Sequence, residues 1–285
     1  SDLLVPANWS ALVGNASKPS INIGDMKNRG IDLSIGWRDK VGEFGYNITA
    51  NISRYKNEVT RLGSSDLFND TRLSKVNITT VGQPVGMFYG YQIDGIYQNE
   101  QDVISSGVLP YGVATENDLV ASAWVGRYKM KDVNNDGKID ADDRTIIGNP
   151  HPDLTGGFNI SLTWRDFDLS TYMYYSIGND LYKHYEYYTM FGNLQSNYSK
   201  DRLAKSWDPV NNPNGIYPLW TTTSTEGPEA GNESNSNYVQ DGSYLRMQTL
   251  TLGYSLPKKL LKKIGFEKIR VSVSYTHLRA HETLM

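Results

Sequence analysis

Polar and apolar positions alternate along much of this chain. In FGYNITANISRY, Tyr46, Ile48, Ala50 and Ile52 fall on one face while Asn47, Thr49, Asn51 and Ser53 fall on the other. A period of two is what a β-strand imposes on its side chains. GGFNISLTW repeats the pattern, with Phe158, Ile160, Leu162 and Trp164 opposite Asn159, Ser161 and Thr163. KIRVSVSY repeats it again, with Ile269, Val271 and Val273 opposite Arg270, Ser272 and Ser274. Further strands are predicted at 30–37, 86–97, 166–177 and 243–256. Several of these run to about ten residues, longer than the roughly five or six of globular sheets and close to the length of a tilted membrane strand.

The connections between these strands are uneven. WRD (Trp164–Asp166) and WRDKVGE (Trp37–Glu43) are short, whereas 99–155 and 190–242 are long and rich in Gly, Pro, Asn, Ser and Thr. Short turns at one end and long loops at the other are the pattern of outer-membrane barrels. The long segments are predicted to be surface loops, in part mobile. Only PKKLLKKIG (Pro257–Gly265) reads as a short helix, with Pro at its start and Gly at its stop. From residue 275 the alternation stops, and 275–285 resembles an adaptor-derived read-through; this tail is set aside as non-native. The remaining chain, 1–274, shows no clear linker and no solenoid or propeller repeat.

Composition narrows the class. Twenty Tyr and 26 Gly, with abundant Asn, Ser and Thr, favour strands and turns over helices. No stretch approaches a membrane-spanning helix, and SDLLVPANWS lacks the basic and apolar parts of a signal peptide. Barrel strands carry only a weak hydropathy signal, so a transmembrane barrel stays open. The 28 basic and 31 acidic residues give a net charge of −3 with no long run of one sign, which argues against a nucleic-acid partner. With no cysteine, disulfides, thiolate metal sites and cysteine nucleophiles are excluded. Trp37, Trp164, Tyr172, Tyr174 and Tyr175 fit either an interfacial girdle or the strands of a soluble sandwich.

One stretch carries candidate chemistry. In DVNNDGKIDADD, side-chain oxygens fall at Asp132, Asn134, Asp136, Asp140 and Asp143, with Gly137 at the sixth position and the Lys138 carbonyl at the seventh. Calcium takes several hard oxygens in a flexible cage, and this spacing wraps the chain round one ion. Asp143 is shorter than the Glu usual at the last position. The other reading is a run of Asx-turns without an ion. Neither flank reads as a helix, so the loop is predicted to stand between strands rather than in an EF-hand. No nucleophile elbow, Walker loop or dinucleotide fingerprint occurs. Acid pairs such as Asp166 and Asp168 lack a convergent site, so the chain is not expected to be an enzyme, a glycoside hydrolase included.

Four segments together carry a resemblance: Asn22–Trp37, Gly82–Asp102, Gly126–Asn159 and Asp241–Pro257. In sequence and order they resemble the SusC/RagA family of TonB-dependent outer-membrane transporters. The resemblance implies an all-β fold, part of a large antiparallel transmembrane β-barrel of about 22 strands in the family, with long extracellular loops. It implies an address in the outer membrane of a Gram-negative bacterium and a SusD-like surface lipoprotein as partner. Oligosaccharide or peptide cargo, outer-membrane lipid and a TonB energising complex, engaged through a preceding plug region, are implied as well. The chain would be the C-terminal part of such a barrel, without signal peptide, TonB box, plug, early strands or closing strand. The competing reading is a secreted, calcium-stabilised β module for adhesion or glycan binding. The apolar strand face separates the two: a barrel leaves it as an outer belt, whereas a sandwich packs it against a second sheet.

Overall fold

The computed structural model describes residues 2–6, 20–63, 66–69, 75–191, 197–220, 230–257, 261 and 265–278. The chain forms two compact units. One comprises Ser1–Lys27, Asn57–Pro150 and Asp180–Gln240, the other Asn28–Lys56, His151–Asn179 and Asp241–Met285.

Strands dominate both. The chain opens with β1 (Asp2–Pro6), β2 (Ser20–Val41) and β3 (Phe44–Arg61). Six short strands follow: β4 (Leu67–Asn69), β5 (Asn77–Thr79), β6 (Met87–Gly90), β7 (Ile93–Ile96), β8 (Tyr128–Met130) and β9 (Thr145–Gly148). Next come the hairpin β10 (Leu154–Trp164) and β11 (Phe167–Ile177), the short β12 (Asp180–Tyr182) and β13 (Val239–Asp241), then β14 (Tyr244–Ser255) and β15 (Arg270–Leu278). The last strand runs through Tyr275–Leu278, into the stretch set aside as a tail.

The second unit is a single antiparallel wall in which β2, β3, β10, β11, β14 and β15 lie side by side in that order. Two of its connections are two-residue turns. Gly42 (φ 62°) starts the β2–β3 turn and Arg165 (φ 54°) the β10–β11 turn. A left-handed first residue gives hairpins a twist that matches their strands. The register keeps like with like. Phe44, Trp164, Phe167, Tyr254 and Val271 form one rung, and Tyr46, Leu162, Leu169, Leu252 and Val273 the next. On the opposite face Asn47, Ser161, Ser170, Thr251 and Ser274 share a rung. A one-residue slip in any strand would exchange its two faces, so the alternation read from sequence fixes the pairing.

The first unit departs from the sequence expectation. The long segments 99–155 and 190–242 do not stay as separate surface loops but contribute to a packed core of Val76, Ile96, Tyr128, Met190, Phe191, Trp207, Tyr217 and Tyr238. A smaller cluster joins Tyr91, Met130 and Ile139. Two short helices punctuate the unit. Asn99 caps α1 (Glu100–Ser105) by accepting the Asp102 N–H, and Ser199 caps α2 (Lys200–Lys205) by accepting the Asp201 N–H. The strand predicted over 86–97 is broken in two at Tyr91, which instead exchanges backbone hydrogen bonds with the 234–236 segment. Most of the helix expected over 257–265 lies outside the described residues.

Candidate functional site

Two features of the wall bear on function, and they lie on its opposite faces. Much of the apolar face is open to the surroundings, with Thr171 and Tyr175 among its buried members. Ile31 is 76 % exposed, Leu252 54 % and Val273 57 %, values that a sandwich core would bring close to zero. Among the described residues no second sheet covers this face. Aromatic side chains gather where the short turns are. The Phe44 and Tyr46 rings lie 6.2 Å apart, the Phe167 and Tyr254 rings 4.7 Å apart, and the Arg165 guanidinium sits 5.4 Å over Trp164. Toward the other end of the strands Phe158 packs against Tyr175 at 5.6 Å. Trp164 and Tyr175 thus lie on the apolar face, whereas Tyr172 and Tyr174 lie on the polar one.

The polar face is built of amides and hydroxyls. Asn47, Thr49, Asn51 and Ser53 of β3 continue into Asn159, Ser161 and Thr163 of β10 and on to Thr249 and Thr251 of β14. Its polar groups meet one another across strands. The Ser53 hydroxyl donates to Asp32, the Thr251 and Ser274 hydroxyls share a 2.9 Å hydrogen bond, and Arg270 forks onto both carboxylate oxygens of Asp168. Beyond β3 and β10 the aromatic side chains Tyr174 and Tyr244 approach to 6.1 Å. This face can offer hydrogen bonds and aromatic surface, but among the described residues it contains no nucleophile–base pair.

The acidic loop lies between β8 and β9, as its flanks predict, with only a 3₁₀ turn (Ala141–Asp143) at its end. Its side chains fold the backbone around themselves. Asp132 accepts N–H bonds from Asn135 (2.6 Å) and Gly137 (2.8 Å), Asn134 accepts from Asp136 (2.9 Å), and Asp136 from Lys138 (3.1 Å). Gly137 takes φ 84°, the left-handed geometry that the sharp turn requires. Asp143 is fully buried and accepts from Val133 (2.9 Å) and Asp140 (2.8 Å), while Asp140 accepts from Asp142 (2.9 Å). The Lys138 ammonium lies 2.7 Å from Asp140 and 3.8 Å from Asp136. Its contact holds the Asp140 carboxyl below the usual range, and Asp140 in turn pushes the Lys138 ammonium up. The donor chemistry and the glycine turn suit a hard cation. Among the described residues, however, no three acidic or histidine side chains converge on a common point.

Sequence reasoning missed what lies beside this loop. Arg144, the next residue, forms a largely buried ion pair with Glu233 and lies 5.0 Å over the Tyr91 ring. Nothing local in the sequence signals a contact between segments so far apart.

No family model matches the chain. Among curated proteins it is 32 % identical over 287 residues to TonB-dependent receptor P3 of Formosa agariphila, covering 97 % of this chain and 26 % of that protein. It is 28 % identical over 270 residues to TonB-dependent receptor P26 of the same organism, covering 89 % of this chain and 24 % of that protein. It is also 27 % identical over 250 residues to TonB-dependent receptor SusC of Bacteroides thetaiotaomicron, covering 82 % of this chain and 21 % of that protein. The chain therefore spans about a quarter of the length of the curated relatives it matches. Among solved structures it superposes on one described as the RagAB peptide transporter, with a TM-score of 0.74 and 21 % identity over 98 % of this chain and 28 % of that one. The RagAB peptide importer in its closed-closed state gives a TM-score of 0.70 at 22 % identity. At such identities the likeness speaks for the fold.

Proposed function

Because the chain is SusC/RagA-like in sequence and fold over nearly its whole length, we propose that it builds one section of the membrane wall and outer loops of a TonB-dependent nutrient importer. Its apolar face meets lipid in the outer membrane of a Gram-negative bacterium, and its polar face lines the lumen. The long connections 99–155 and 190–242 are extracellular. Its action is gated passage of an oligosaccharide or peptide rather than bond chemistry. A SusD-like lipoprotein on the outer side and a TonB energising complex, reached through another part of the receptor, are its partners. Calcium in the 132–143 loop, held by Asp132, Asn134, Asp136, the Lys138 carbonyl, Asp140 and Asp143, stiffens that extracellular connection.

The observation that carries this reading is the two-faced wall with an uncovered apolar side. It disfavours the secreted β module, which would need a dry core on that side. Neighbouring positions on β10 test it, in the intact receptor that contains this chain. Ile160 lies in the middle of the apolar face and Ser161 on the polar face. A lysine toward lipid near mid-membrane costs about 2–4 kcal/mol, whereas one toward the lumen is tolerated. Ile160→Lys should therefore abolish or sharply reduce the heat-modifiable barrel on gels, and Ser161→Lys should leave it in place. The reverse order would place the faces the other way and end the proposal.

A further inference from the structure

Resting on the outward assignment of the apolar face, we propose that Arg29, Arg54 and Lys56 form a docking site for the phosphate groups of an anionic lipid in the outer leaflet. Cross-strand contacts fix which way these side chains point. A Cβ on Gly30 would run into that of Tyr55, and Asp32 takes the Ser53 hydroxyl, so the even positions of β2 and the odd positions of β3 share the polar face. The odd positions of β2 and the even positions of β3 then share the apolar face. Arg29 stands there in line with Ile31, Leu33, Ile35 and Trp37, and Arg54 and Lys56 in line with Ile48 and Ile52. All three cations are exposed. Neither Arg29 nor Arg54 has a carboxylate within ion-pair distance among the described residues.

Their height on the wall is the second observation. From Phe44, at the turn end, to Arg54 the strand climbs about 33 Å, or about 25 Å along the membrane normal at a tilt of about 40°. An outer-membrane barrel carries an apolar band of about that height, so the guanidinium stands where hydrocarbon gives way to headgroups on the long-loop side. The cations are local to this hairpin. At the same end of β10 and β11 the wall presents Leu154 and Ile177, which pair with each other. A bare arginine pair at an interface has a ready partner in lipid phosphate, which a guanidinium grips with parallel hydrogen bonds. Each such contact strengthens lipid association.

Native mass spectrometry of the intact receptor, purified in mild detergent and supplied with diphosphorylated lipid A, tests the site. Wild type should retain the lipid, and R29Q/R54Q should hold it on the order of tenfold more weakly. R29K/R54K, which keeps the charge, should retain most of the binding. R38Q, on the same strand but the opposite face, should behave as wild type. Retention by R29Q/R54Q equal to wild type, or equal retention of dephosphorylated lipid A, would overturn the proposal. So would complete displacement of the lipid by inorganic phosphate at equal concentration, which would mark a free-anion site. Each variant is first checked for heat-modifiability, and the single substitutions R29Q and R54Q serve if the double variant does not assemble. A receptor that fails to form a bilayer-competent barrel at all contradicts the outward face itself, whereas an assembled barrel that holds no lipid contradicts only this site.

Discussion

Lys138 supplies two opposed groups to the acidic loop: a carbonyl in the proposed calcium-ligand series and an ammonium that already neutralises Asp140 and Asp136. An ion entering the loop competes with that ammonium. Lys138→Met keeps the carbonyl and removes the competitor, so it should tighten calcium binding by roughly two- to fivefold, the scale of an exposed ion pair. Asp132→Ala removes the acceptor of the Asn135 and Gly137 N–H groups and should abolish binding. Calorimetry on the intact receptor reads both, and an unchanged isotherm for both variants would leave the Asx-turn reading. The pH dependence has a definite sign. Asp140, held below its ordinary 3.8, supports the folded loop at pH values above that and loses its contribution as pH falls through the lower folded value. Lys138, raised above 10.5, contributes below that pH and loses its contribution as pH rises through the higher folded value. The protection factor of the Gly137 amide, with the base-catalysed rise in intrinsic exchange divided out, should therefore be flat from about pH 4 to 10, and the effect is small because both groups face solvent. At this scale the sequence was informative about the Asx hydrogen bonds of the loop, whose spacing is local. It was silent on Arg144 and Glu233, whose contact depends on tertiary packing.

Elements were legible in proportion to their length. The wall strands are long enough for period two to repeat, and each face has a single kind of neighbour, so the pattern in Phe44–Ile52 or Phe158–Trp164 reads out directly. Apart from β1 and the ends of β2 and β3, the first unit is built from strands of three or four residues, too short for any period to register. Its core side chains Tyr91, Trp207 and Tyr217 come from irregular backbone, and Tyr91 breaks what looked like one strand. Gly156 shows how an element constrains a residue within the wall. A Cβ there would collide with the Asn51 carbonyl and the Tyr175 hydroxyl, because the Tyr175 ring covers the glycine from the neighbouring strand. Gly156→Val should therefore force Tyr175 off the wall and cost about 1–3 kcal/mol. The readout is a lower temperature for loss of the heat-modifiable form in the intact receptor. An unchanged transition would mean that the ring moves aside freely.

For the whole molecule, the decisive quantity is the state of the sheet edges. The seven strands β1, β2, β3, β10, β11, β14 and β15 form an open series, not a ring. β1 pairs with only the Ser20–Asp25 part of β2, which leaves the N–H and C=O groups of the rest of β2 along that side without a neighbouring strand among the described residues. The outer side of β15 is open in the same way. Water can satisfy those groups, but hydrocarbon cannot, and each unsatisfied group in a bilayer core costs several kcal/mol. Barrels cross membranes because closure removes both edges. A chain of residues 1–285 expressed alone therefore has no low-energy membrane state. In water its uncovered apolar face and two free edges favour association with other copies. Refolded into detergent, it should elute as a broad, aggregated distribution without a heat-modifiable band, whereas the same segment within the full-length receptor should give a compact, heat-modifiable species. A monodisperse monomer of the isolated chain, with protected amides along β2 and β15, would show that the sheet closes on itself and that this segment is a complete barrel rather than a section of a larger one.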